Sequence, residues 1–332
     1  MSRRLRFHSS LGRHLQAYLD FRQRLGYTSF ADSPQARDFD YYLAFHGATL
    51  KDLDERLVVH WMHAIPRHAA ATKNGKLRFA RGFFSYLVRV GLARENLARR
   101  IPYLKQKTYQ PHIYTLKEIH QILEEARKNQ RRYPKRLTGW TMETLVFLLY
   151  ACGLRLSEAL NLRIQDVDFE ENTLALWKTK FHKERLVPFS PAVAQKLRAY
   201  LVRRNRSYPP AGPQDPFFRS PSGKCRKSAM QQRFRHLLTR CGLAEPRGRG
   251  GPRLHDLRHG MAVHRLYKWY QEGHDILNKL PLLSVYMGHV NIENTSVYLT
   301  ITRALLREGD RRFQGAFESV TGKAIGRAMK NP

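Results

Sequence analysis

The chain of 332 residues carries 59 Lys and Arg against 27 Asp and Glu, a formal charge of +32. Apolar residues at 42% and aromatics at 11% exclude a disordered chain; so large a positive charge repels itself unless an anionic polymer meets it, which puts nucleic acid first among partners and an anionic membrane surface second. Cys152, Cys225 and Cys241 are too few and too scattered for a disulfide framework or a CxxC metal site and fit a reducing cytoplasm, no apolar run approaches the roughly 18 residues of a membrane span, and MSRRLRFHSS lacks a signal-peptide core.

The length predicts two domains, and both parts are basic: residues 1–110 hold 20 basic against 8 acidic residues, the remainder 39 against 19. LGRHLQAYLDFRQRLGY has helical spacing and stops at Gly26, and WMHAIPRHAAATKNGKLRFARGFFSYLVRVGLA gives two more amphipathic stretches around a polar turn. From Leu57 to Arg94, 38 residues, there is no carboxylate, while Arg67, Lys73, Lys76, Arg78, Arg81, Arg89 and Arg94 lie there with three histidines. A solvated helix face is the ordinary explanation of such a run; without balancing acids it reads as a phosphate-facing surface. RRIPYLKQKTYQPHIY, residues 99–114, breaks periodicity and predicts a linker, with domains at 1–107 and 108–332.

The second domain opens with Thr115 and Glu118 in capping-box spacing before IHQIL. METLVFLLYAC predicts a buried helix and LSEALNLR another. TLALWKT and ERLVPF read as strands of a hairpin whose tip carries Lys180, Phe181, His182 and Lys183. Tyr208 to Lys224, rich in Pro, Gly and Ser, predicts a loop, and helices resume at Ala229 and continue with interruptions to the end.

Four separated pieces then line up: ACGLRLSEALNLR with Arg155, WKTKFHKERLVPF with Lys180, LHDLRH with His255 and Arg258, and MGHVNIENTSVYL with His289 and Tyr298. In this order and at these intervals, over roughly residues 111 to 302, they resemble the tyrosine recombinases of the phage-integrase family, and LPLLSVYMGHVNIENTSVYL looks most like recombinases that mobile elements encode side by side. The resemblance implies a mainly α fold with a small antiparallel β-sheet, a helical core-binding domain and an α+β catalytic domain closing as a C-shaped clamp on duplex DNA.

It also implies a chemistry. A tyrosine attacks a DNA phosphodiester, leaves a 3′-phosphotyrosine and releases a 5′-hydroxyl; the bond energy is conserved, so neither ATP nor any other cofactor or metal is expected. By resemblance Tyr298 is that nucleophile. Its hydroxyl, with a reference pKa of about 10, is phenolate in only roughly one molecule in a thousand near neutrality, so a base and a positive field are needed; His255 resembles the family's general base. Arg155 and Arg258 correspond to the clamps on the nonbridging oxygens, where a planar, permanently charged fork is suited to the crowded phosphorane. His289 corresponds to a third donor to the phosphate; a lone Gly-His is otherwise a histidine satisfied in a core. Lys180 corresponds to the acid that protonates the leaving oxygen, with Lys178 and Lys183 as alternatives because Thr179 and Phe181 stand where the family has flanking glycines. Glu158, three residues past Arg155 on the same helix side, either orients the site or forms a helix-surface salt bridge. The interval from Arg258 to His289 is longer than in compact members, predicting a lengthened helix or a loop after Trp269. The amphipathic tail ALLREGDRRFQGAF packs on a neighbouring subunit or on its own domain.

The implied partners are double-stranded DNA, four protomers on two paired sites exchanging strands through a Holliday junction, and an accessory or sister recombinase, with no membrane and a cytoplasmic, nucleoid-associated location. Two alternatives stand beside this reading: a type IB topoisomerase-like enzyme, and a non-catalytic DNA-binding accessory protein.

Overall fold

Apolar residues spaced three and four apart fix the helices of the amino-terminal part. The computed structural model describes residues 6–27, 33–106, 109–132, 137–177, 184–208, 212–244, 251–288, 295 and 298, and the chain divides into two units, Met1–Tyr109 and Gln110–Pro332. The first unit holds α1 (Gly12–Arg24), α2 (Ser33–Phe45), α3 (Glu55–His63) and α4 (Ala70–Arg89). Along α4, Leu77, Ala80, Phe83, Phe84 and Leu87 form the buried stripe. They join an aromatic core in which Phe39 lies 4.5 Å from Trp61 and Tyr18 meets Phe83 edge-on at 5.7 Å. A Cβ at Gly82 would strike the Tyr18 hydroxyl, so the close approach of α1 to α4 requires glycine there. Asp54 caps α3 by accepting from the Leu57 amide at 2.7 Å. Buried Asp40 accepts from the amides of His8 and Ser9 at 2.7 and 3.0 Å, fastening the segment before α1.

The second unit begins with α5 (Leu116–Arg132), where the expected capping box forms: Thr115 N donates to Glu118 Oε2 at 2.7 Å and Glu118 N to Thr115 Oγ1 at 3.1 Å. Helix α6 (Thr138–Ala151) is apolar on all sides and is accordingly the central helix, packed by α5, α8 (Pro191–Ser207) and α10 (Asp256–Gln271). Its one buried acid, Glu143, accepts from Arg127 of α5 at 2.6 Å and from Lys196 of α8. Strands β1 (Val167–Asp168), β2 (Thr173–Leu176) and β3 (Arg185–Pro188) form an antiparallel sheet in that order. Leu174 faces Val167 on one side and Val187 on the other, which puts all three on the buried face of the pleat.

The two expected strands are therefore present, while the hairpin tip lies outside the described residues. Strand β1 was not expected, because two residues are too few to show alternation. Tyr208 to Lys224, expected as loop, contains a second small hairpin, β4 (Arg219–Ser220) with β5 (Gly223–Lys224). Burial of Phe217 and Phe218 beside it overrides the Pro, Gly and Ser content of the segment. Short α7 (Leu156–Asn161), α9 (Lys227–Arg240) and α11 (Ile276–Met287) complete the helices that frame the site. The longer interval after Arg258 is taken up by α10, which runs two residues past Trp269, and by the turn at Gly273 before Asp275 caps α11. The fold is mainly helical with small antiparallel sheets, as expected. Among the described residues no helix is long and apolar enough to cross a membrane. The tail beyond Tyr298 lies outside them.

Candidate active site

Three guanidinium groups converge on one helix end. Arg155 sits at the N-cap of α7, just after Gly153 turns the chain with φ 59°. Its amide donates to Glu158 Oε2 at 2.8 Å, its Nη1 to Glu158 Oε1 at 2.7 Å and its Nη2 to the Gly288 carbonyl at 2.8 Å. Arg258, in the first turn of α10, is 1% exposed and donates Nη1 to the Gly153 carbonyl and Nη2 to the Met287 carbonyl, the latter at 2.6 Å. Arg185 of β3 donates Nε to the Tyr286 carbonyl at 3.1 Å and grips both Glu158 oxygens at 3.0 Å. The carbonyls of residues 286 to 288 belong to the carboxyl end of α11, where helical partners run out and the dipole is negative. Donors that hold a cluster of such oxygens have the geometry and charge to hold the nonbridging oxygens of a phosphate.

Burial alone would raise the Glu158 carboxyl, but the bonds and charge of Arg185, with the bonds from Arg155, outweigh it and hold the carboxyl below its ordinary value. Because Arg185 grips this carboxylate through both nitrogens, Arg155 is left only partly neutralised. Burial, with Arg155 close by, brings Arg258 down to about 10, still fully charged near neutrality.

Tyr298 lies beside this group, 2% exposed. Burial pushes its hydroxyl up to about 12 against the lowering pull of Arg258 and Arg155, so the phenol keeps its proton until something accepts it. Its Oη is 2.8 Å from Nδ1 of His259, and the two rings stand 5.5 Å apart. The resemblance gives the role of general base to His255, which lies close by. His255 is the N-cap of α10, one turn earlier; its ring meets that of His259 edge-on at 4.8 Å and is exposed on the cleft wall. Desolvation by the cleft walls, then the neighbouring His259, Arg258 and Arg155, hold His255 down to about 4.

The cleft itself has a volume of about 830 Å³ and is lined by Arg155, Trp177, Lys227, Arg235, Arg253 and His255 among others. Arg155, Glu158, His255, Arg258 and Tyr298 are thus brought together, from α7, α10 and the segment after α11. Lys180 and His289, together with Lys178 and Lys183, lie outside the described residues. His259 and Arg185 were missed. The first is readable as the i+4 neighbour of His255 on one helix face. The second shares the inward face of β3 with Val187, and an inward arginine on a strand demands an acid.

The basic residues proposed for the first unit separate by environment. Arg67 and Arg78 are exposed and Lys73 is half-buried against His63 at 3.2 Å. Lys76 is not a surface group: it is 4% exposed, 2.7 Å from Asp38 and bonded to the Trp61 carbonyl at 3.2 Å. A buried ammonium needs such partners, and they take it away from any phosphate. Arg81 is likewise committed, donating to the carbonyls of Ala98 and Arg99 at 3.1 and 3.2 Å with its guanidinium 4.3 Å from the Tyr103 ring.

Comparison with known proteins identifies the family. The model of the phage integrase family matches residues 113–304. A protein of Sinorhizobium fredii that carries the name integrase/recombinase y4rB is 30% identical over 315 residues, 94% of this chain and 100% of its own. A tyrosine recombinase of Pseudothermotoga lettingae is 29% identical over 297 residues, 87% of this chain and 94% of its own. Among solved structures, the XerH site-specific recombinase bound to a palindromic difH substrate superposes with a TM-score of 0.62 at 19% identity, over 92% of this chain and 85% of that one. With more than half of its length matched by the family model and a full-length relative at this identity, the chain belongs to the phage integrase family of tyrosine recombinases.

Proposed function

We propose that this protein is a site-specific DNA recombinase that cuts and rejoins duplex DNA for a mobile element, by integration, excision or transposition. In this reading Tyr298 attacks the scissile phosphate and forms the 3′-phosphotyrosine. Arg155 and Arg258 exchange the α11 carbonyls for the nonbridging oxygens, and His289 donates to the same phosphate. Lys180 protonates the leaving 5′-oxygen, with Lys178 and Lys183 as its rivals in the same tip. Glu158, held by Arg185, sets the fork of Arg155, and His255 adds a phosphate contact from the cleft wall. Residues 108–332 act as the catalytic domain. Residues 1–107 act as a helical core-binding domain with Arg67, Lys73 and Arg78 toward the DNA backbone. The name borne by the Sinorhizobium relative, and a solved relative on a recombination site, support the mobile-element and site-specific parts of the reading. Four protomers on two paired sites, strand exchange through a Holliday junction, a sister recombinase and a nucleoid-associated location in the cytoplasm complete it.

The observation that carries the reading is the buried Tyr298 hydroxyl on a histidine, within the field of two arginines whose forks hold clustered oxygens. Removing the nucleophile tests it. The protein and its Tyr298→Phe variant are expressed in cells and denatured, and DNA that stays covalently attached is sequenced. DNA on the wild type alone, with ends at one sequence, is the expected result. Ends scattered over the genome would make the enzyme a topoisomerase. Specific binding with no attached DNA would make it an accessory protein.

A further inference from the structure

We propose that Trp177 is a nucleoside platform: the exposed face of its indole takes the flat face of a nucleoside that flanks the scissile phosphate. The inference rests on the recombinase reading above and goes beyond it by giving the cleft a contact to base or deoxyribose beside its contacts to phosphate.

Placement carries the proposal. Trp177 follows the last residue of β2, in which Leu174 and Leu176 point into the core, so the alternation of the strand turns residue 177 outward. It is 52% exposed and lines the same cleft as Arg155 and His255. A lone exposed tryptophan is ordinary on a protein surface. One in the wall of an anion cleft stands where a nucleic acid must pass if its phosphate reaches Arg155. Lys227, Arg235 and Arg253 complete the cationic lining among the described residues, while the acid there, Glu158, is already gripped by Arg185.

The ring is held ready. Its Nε1 donates to Asp166 Oδ1 at 2.9 Å, and Asp166, 5% exposed, accepts at its other oxygen from the Arg163 amide at 2.8 Å. Both carboxylate oxygens are thus engaged, one of them in fixing the edge of the indole, and half of the ring's surface stays open. Fixing the ring before DNA arrives removes rotamer entropy that stacking would otherwise cost. The bond also consumes the single polar group of the indole. What remains toward the cleft is flat and apolar, matched to a base or a sugar and not to a phosphate.

Inside an intact duplex every base is stacked on both sides, so an aromatic platform meets either a deoxyribose in the groove or a base that has left the stack. Cutting the strand favours the second, since it frees the terminal nucleosides on either side of the break to leave the stack. An indole beside the reacting phosphate replaces the lost neighbour, and any base accepts it because each has a π-face. Such stacking is tolerant of sequence, so Trp177 adds affinity at the cut without choosing the base there.

The test uses the full chain and a duplex of the sequence recovered from covalent DNA. Each nucleotide flanking the cut is replaced in turn by an abasic tetrahydrofuran, which keeps the sugar ring, or by an acyclic three-carbon spacer, which removes ring and base together. Trp177→Phe and Trp177→Leu lose the bond to Asp166 alike, but only phenylalanine keeps a flat ring. Trp177→Leu is expected to lose about 5- to 100-fold in duplex binding or in single-turnover adduct formation, and Trp177→Phe to recover most of that loss. A part confined to fixing the sheet would weaken the two variants equally, and that result would overturn the proposal. At the contacted position the ratio of wild type to Trp177→Leu should collapse toward one, on the abasic duplex if the base is stacked and only on the spacer duplex if the deoxyribose is. A ratio that persists on every substituted duplex would overturn the platform. Wild-type binding and adduct rates in Trp177→Leu would overturn it and leave the recombinase reading standing. No adduct on the wild type would overturn both.

Discussion

At Gly288 one methyl group decides how the anion site is held. The residue stands at φ 67°, and a Cβ there would lie 2.7 Å from Arg185 Nη1 and 2.8 Å from its Cζ. Alanine therefore meets two penalties: roughly 1–2 kcal/mol for the left-handed backbone, and displacement of the guanidinium that grips Glu158. Gly288→Ala should lower Tm by about 2–4 °C for each kcal/mol lost in a unit of this size. It should also slow cleavage more than it weakens DNA binding, because Arg155 loses its orientation once Glu158 is free to turn. Calorimetry and single-turnover cleavage check the two parts; unchanged cleavage in a variant with lowered Tm would remove Arg185 from the site. The sequence makes Arg155, Arg258 and Tyr298 visible because each sits in a motif with its own spacing. Arg185 and His259 are hidden because each looks like a neighbour of something more obvious. Arg185 passes for one more cation in a basic hairpin and His259 for an extra histidine beside a motif arginine. Only packing shows that one meets a buried carboxylate and the other a phenol.

Helix α4 illustrates the same limit one level up. Its apolar stripe was legible from a period of three to four residues, as was the Thr115–Glu118 cap of α5, because both are written in adjacent turns. Which basic residues of α4 face outward was not, since Lys76 and Arg78 are two residues apart and go to different environments. Arg78 is exposed, while Lys76 is 4% exposed against Asp38. Short strands failed for a related reason: β1, β4 and β5 are two residues each, and burial of Phe217 and Phe218, not local pattern, fixes their hairpin. The environments predict opposite mutational signatures. Arg78→Ala should leave Tm unchanged and reduce the slope of log K against log salt by about 1, measured between about 50 and 200 mM salt. Lys76→Met should lower Tm, by removing the buried ammonium from half-exposed Asp38 and from the Trp61 carbonyl, and leave that slope as it is. A reduced slope in Lys76→Met would place its ammonium on the DNA.

Across the whole molecule the charge of +32 makes DNA binding salt-dependent, and the cleft histidine adds a proton linkage. In the free protein His255 is held to about 4 by desolvation and by His259, Arg258 and Arg155, so from about pH 6.5 down to 4 it stays uncharged while an ordinary imidazole would be protonated. A phosphodiester entering the cleft supplies the negative charge that this cluster lacks. It offsets the arginine field and raises the affinity of His255 for a proton. The sign follows from linkage: a group whose pKa is higher in the complex binds protons on association, so affinity must increase as pH falls through that interval. Titration calorimetry at about pH 5.5 in two buffers of different ionisation enthalpy reads the proton count directly, as the difference in apparent binding heat. The wild type should take up protons, and His255→Gln should take up fewer. Equal uptake in the two proteins would mean that the phosphate does not reach the His255 wall of the cleft, and that the anion site lies elsewhere on this basic surface.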